Sequence, residues 1–142
     1  ACVALLVVLG FPGCEDDEGG NGSFAEQADA ICTDAETQIG RIAQPQDPND
    51  PLQLALFLER AVPIARAQNR KLKQLERPSE QRAQINQLIG ALEAEVDAAE
   101  RMLAAARRQN RPEIQQRLQE SGVASAQSGQ LAQGLGLQVC GG

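Results

Sequence analysis

A chain of 142 residues with a net charge of −6, 42% apolar residues and no histidine, tryptophan or tyrosine narrows the choice of function before any motif is read. Without histidine it lacks the commonest general base and metal ligand; without tryptophan or tyrosine it lacks most stacking platforms for single-stranded nucleic acid. Its acidic balance opposes the net basic face that phosphate binding needs, so no nucleic acid is expected as a partner.

Val3 to Leu9 form a short apolar run that ends near Cys14. The run is far below the roughly 20 apolar residues of a membrane span and reads as a signal-peptide hydrophobic region that begins upstream of Ala1. Gly13 precedes Cys14 as in a lipoprotein lipobox, whereas Phe11 and Pro12 depart from that pattern. Residues 1–14 are therefore expected to be a signal-peptide remnant ending at a lipidated Cys14, where two acyl chains give stable anchoring. This places the protein outside the cytoplasm on the cell membrane, or secretes it if the lipobox is not processed. Residues 15–23 carry four carboxylates and three glycines, the composition of a solvated tether reaching on the order of 15–20 Å.

Residues 24–142 are expected to be one helical domain. Ser23 and Glu26 have the spacing of a capping box, and Phe24, Ala28, Ile31, Ala35, Ile39 and Ile42 follow as one apolar stripe. Pro45, Pro48 and Pro51 break the chain, with Asp50 placed to cap a second helix and Pro51 at its first position. Leu54, Leu58, Ala61, Ala65, Leu72 and Leu75 line that helix, and Arg77-Pro78 ends it. A third helix carries Ile85, Ile89, Leu92, Val96, Ala99, Leu103 and Ala106, a four-three repeat over three heptads. After Asn110-Arg111-Pro112, a fourth carries Ile114, Leu118, Ala124, Leu131 and Ala132, with Gly134 expected as its left-handed cap. Short links between long amphipathic helices make neighbours antiparallel. The expected fold is thus all-α, an up-down antiparallel four-helix bundle.

In an extracytoplasmic compartment Cys32 and Cys140 are expected to pair. An even number of antiparallel helices brings the start of the first helix beside the end of the fourth. Such a staple contributes about 4–5 kcal/mol in the chain-entropy picture. No C-x-x-C is present, so a structural role is expected and not a redox one.

Several features invite a functional reading. Pro63 removes a hydrogen bond inside the second helix; a cleft formed there by Phe57, Val62, Pro63 and Ile64 would accept an apolar ligand, and a bend around the core is the plainer account. Gly122, Gly129 and Gly136 weaken the fourth helix, which points to close packing or to a docking surface. Arg101, Arg107, Arg108, Arg111 and Arg117 form a possible patch for an anionic partner. Glu93, Asp97 and Glu100 share a helical face, yet a solvated surface is expected there and no metal. Lys71 and Lys73 have no serine three residues before them, and no phosphate loop occurs. The chain is expected to be no enzyme and to use no cofactor.

The layout resembles small lipobox-containing envelope lipoproteins of high-GC Gram-positive bacteria. The resemblance rests on Ala30-Ile31-Cys32 in the first helix, Pro63-Ile64 in mid-chain, the Arg77-Pro78 break and the Leu135-Gly136-Leu137 tail before the last cysteine. It implies an envelope address and a helical fold, and no mechanism. The expected function is a lipid-anchored scaffold or protein-interaction module; the alternative is a carrier for a lipid or small apolar ligand near Pro63.

Overall fold

The computed structural model describes residues 22–141, which contain four α-helices and no strand. The helix α1 (Phe24–Gly40) starts at a complete capping box: Ser23 Oγ accepts from the Glu26 backbone N–H, and Glu26 accepts from that of Ser23 at 2.9 Å. Its buried residues Phe24, Ala28, Cys32 and Ala35 are spaced by four and three. α2 (Pro51–Gln74) is capped by the Asp50 carboxylate, which accepts from Leu52 and Gln53, and it continues as helix through Pro63. It ends three residues before Arg77, whose guanidinium folds back onto the Lys73 carbonyl at 3.0 Å and satisfies one of the last acceptors.

α3 (Arg82–Arg107) and α4 (Arg111–Gly134) complete the set, with Asn110 capping α4. The expected stripe of α3 is accompanied by a second one. Leu88, Ala91, Ala98, Met102 and Ala105 are also buried, and with Glu95 between Ala91 and Ala98 they form another three-four repeat. Two seams fit a helix that packs on both α2 and α4, its two strongest neighbours.

Three ion pairs give the register of α2 against α3: Glu59 with Arg107, Arg66 with Glu100 and Lys73 with Glu93. Each advance of seven residues along α2 meets a retreat of seven along α3, so these two helices run antiparallel. Substantial helix–helix packing follows chain order, α1 on α2, α2 on α3 and α3 on α4.

The core has two parts. One gathers Phe24, Ala28 and Cys32 of α1 with Leu72, Ile85, Leu88, Ile89, Leu92, Ala132 and the tail residues Leu135, Leu137 and Cys140. The other joins Leu54, Ala55, Leu58 and Val62 of α2 to Val96, Met102, Ala105, Ala106 and Ile114, with no residue of α1. A 17-residue α1 beside helices of 24 to 26 residues covers only one end of them.

The fourth helix is corrected in two details. Its left-handed cap is Gly136 (φ 75°), not Gly134, because Leu135 still closes the last turn; Gly136 and Leu137 donate back to Gln133 and Ala132 in a Schellman motif. Leu118, expected in the apolar stripe, is 43% exposed, and the fully buried position of α4 is Ser128.

Candidate functional site

The tail after α4 is built onto α1 by two locks. Cys32 and Cys140 form a disulfide spanning 108 positions, with their Cα atoms 5.3 Å apart. One turn before Cys32, the Asp29 carboxylate accepts backbone N–H groups from Gln138, Val139 and Cys140 at 2.9–3.3 Å. Burial raises the Asp29 carboxyl pKa, and the three N–H bonds more than offset it, leaving it below the usual range. Gly141 (φ 98°) then lies so close to α4 that an added Cβ would stand 2.9 Å from the Gly129 Cα.

The disulfide and the tail residues Val139 and Gly141 form one wall of a small cavity of about 190 Å³. All four helices contribute to it: Glu36 from α1, Gln68 and Asn69 from α2, Glu95 from α3 and Ser125 from α4. Gln68 Nε2 donates to the Cys32 sulfur at 3.4 Å. The half-buried Glu95 accepts from the Ser128 hydroxyl; burial pushes its carboxyl above the usual range and the hydroxyl offsets part of that. The side chains here accept and donate hydrogen bonds, and the lining carries no basic residue.

The structure separates the four residues expected around Pro63. Val62 and Pro63 line an open groove of about 370 Å³ between α2 and α3, together with the apolar Leu103 and Ala104 and the charged Arg66, Arg70, Glu100 and Arg107. Phe57 packs on the second core cluster and Ile64 is half-buried; neither lines the groove. The groove is therefore apolar and charged in equal parts.

The five arginines are mostly engaged with carboxylates. Arg107 donates twice to Glu59 at 2.9 and 3.1 Å, Arg108 bonds Glu113 at 2.7 Å, and Arg117 bonds Glu120 at 2.7 Å and pairs with Glu113. Arg101 and Arg111 are exposed, within electrostatic reach of Glu120 and Asp50 respectively. Of the acidic face on α3, Glu93 and Glu100 are taken up by Lys73 and Arg66. Among the described residues no group of three or more potential ligands is placed to hold a metal ion, and no helix is long and apolar enough to cross a membrane. Cys14 and the leader lie outside the described residues.

Sequence reasoning missed Asp29, Asn69 and Glu95. Glu95 carried little signal, because the seam it interrupts is built largely of alanines that look neutral in sequence. Asp29 had none, because its partners lie over 100 positions away. Comparison of the chain with family models, curated proteins and solved structures gives no match.

Proposed function

We propose that the protein is a lipid-anchored, extracytoplasmic, non-enzymatic interaction module of the cell envelope, built as an up-down bundle. The bundle reading is supported by the opposed register of α2 and α3 and by the bond from early α1 to the tail beyond α4. An oxidising compartment is supported by that same disulfide, and anchoring by the approach of the leader to Cys14.

The observation that carries the interaction reading is the uncovered start of α2. Leu52 and Leu56 are 59% and 65% exposed on adjacent turns, at the end of the molecule where α1 adds nothing to the core. Large apolar side chains on one helical face suit the apolar stripe of a partner helix, so the occupant proposed is another polypeptide presenting such a stripe. The carrier alternative has less support, because the groove holding Val62 and Pro63 is open, lacks Phe57 and Ile64, and is lined half by charged residues.

A photo-crosslinking amino acid at position 56, in the anchored protein in its own membrane, tests this. A discrete protein adduct that disappears in Leu52→Glu, with helicity unchanged, is the expected result. Cross-links to lipid alone, or to no polypeptide, would overturn the reading.

A further inference from the structure

Leu52 and Leu56 do not stand alone on their face of α2. At about 100° per residue, the strip that continues them along the helix runs through Arg60, Pro63, Ala67, Arg70 and Gln74. Arg60, Pro63, Arg70 and Gln74 are exposed, and Ala67 is half-buried. No carboxylate lies on this strip. Glu59, the one acidic residue of α2, is turned towards α3 and accepts from Arg107.

The charge of the helix is as one-sided as its outer face. In a chain of net charge −6, α2 carries Arg60, Arg66, Arg70, Lys71 and Lys73 against Glu59 alone. Arg66, Lys71 and Lys73 are paired with Glu100, Asp34 and Glu93 of the neighbouring helices. Arg60 and Arg70 form no ion pair among the described residues. Arg70 shares the wall of an outer groove with Asp97 of α3, yet the two do not come within ion-pair distance. The two free guanidinium groups stand about three turns apart on the strip, roughly 15 Å along the axis. Beside them, Val62, Leu103 and Ala104 leave apolar room in the groove between α2 and α3.

We propose that the partner of this face is an acidic amphipathic helix of about five turns, laid along α2 from Leu52 to Arg70. The proposal rests on the docking reading of Leu52 and Leu56 and gives their occupant its chemistry. The partner's apolar stripe covers Leu52, Leu56, Pro63 and Ala67. Carboxylates at the edges of that stripe, about three turns apart, receive the guanidinium groups of Arg60 and Arg70. The planar fork of arginine matches a carboxylate better than it matches any neutral acceptor. A second copy of the chain does not fit, because two such strips face to face would set cation against cation with no carboxylate between them. An anionic lipid surface would meet the cations, but two exposed leucines offer it little apolar area to hold.

The test uses two alanine-based helical peptides with leucines at four-three spacing on one face. One carries two glutamates beside that face, about three turns apart; the other carries lysines at the same positions. Each is labelled and titrated with the full chain, and binding is read from fluorescence anisotropy. The expected result is saturable binding of the glutamate peptide, about tenfold or more tighter than that of the lysine peptide. In the doubly reversed chain, Arg60→Glu with Arg70→Glu, the preference should invert, since like charges across an interface repel. A misfolded variant could lose binding, but it could not exchange one preference for the other. Equal affinity for both peptides, lost in Leu52→Glu, would overturn the acidic partner and leave the docking reading standing. Binding of neither peptide would also overturn it, with the cross-link at position 56 judging the docking reading separately. Binding of the chain to anionic phospholipid vesicles that displaces the glutamate peptide, and is lost on the double reversal, would give the strip to the membrane instead.

Discussion

Asp29 shows how much one side chain does for the fold at the residue scale. Its carboxylate terminates three backbone donors of the tail, and hydrogen bonds to a charged group contribute about 1.5–3 kcal/mol. Asp29→Ala is expected to lose stability of that order at neutral pH in urea unfolding. Because the folded-state pKa lies below the ordinary value of 3.8, this contribution is present above the unfolded pKa and fades as pH falls through the folded one. The gap between wild type and Asp29→Ala should accordingly narrow in acid; a constant gap from pH 7 to pH 2 would refute the assignment. Gln109 makes the opposite case. It holds φ 55° at the end of α3, where Gln109 and Asn110 donate back to Ala106 and Ala105 as glycine-capped helices do. The left-handed region costs a residue with a Cβ roughly 1–2 kcal/mol, so Gln109→Gly should raise stability by about 0.5–1 kcal/mol once the greater freedom of glycine in the unfolded chain is counted.

Among the elements, α4 is the weakest former and the most dependent on its neighbours. It buries Ile114, Ser128 and Ala132, and it meets the Ala91, Ala98 and Ala105 side of α3, where small side chains allow close approach. Its glycines have different roles. A Cβ on Gly129 would stand 3.0 Å from the Gly141 carbonyl, which is backbone and cannot swing aside; at Gly122 it would meet nothing within 4 Å. Gly129→Ala is therefore expected to destabilise by about 1–2 kcal/mol, and Gly122→Ala to stabilise by about 0.5–1 kcal/mol through helix propensity. Thermal unfolding of the two variants should shift in opposite directions; shifts of the same sign would show that the glycines are equivalent. Helix ends were readable because caps and prolines act within a few residues. The second seam of α3 was not, since alanines at Ala91, Ala98 and Ala105 look neutral until a neighbour is known to approach.

For the whole molecule, the disulfide closes what helix packing leaves open. Consecutive helices pack on one another, whereas α1 is joined to the end of the chain through the tail, Asp29 and the Cys32–Cys140 bond. Cys32→Ser should cost about 2–5 kcal/mol and leave Cys140 open to thiol reagents. Retention of the wild-type melting temperature would mean that Asp29 alone holds the tail. The uneven lengths of the helices have a second consequence. The end built from α2, α3 and α4 carries the exposed Leu52 and Leu56, which is where the interaction reading places its partner.

Apolar periodicity, prolines, capping residues and two cysteines determined the helical class, the four elements and the covalent staple, because those signals depend on neighbours in the chain or on a single pairing. Tertiary structure alone decided that Val62 and Pro63 line a groove apart from Phe57 and Ile64, that Arg107, Arg108 and Arg117 are engaged by carboxylates, and that Asp29 holds the tail. It likewise brought Glu36, Asn69 and Glu95 to one cavity. Each of these depends on the rotation and length of one helix against another, and a charged or amide side chain carries no mark in the sequence of which helix it will face.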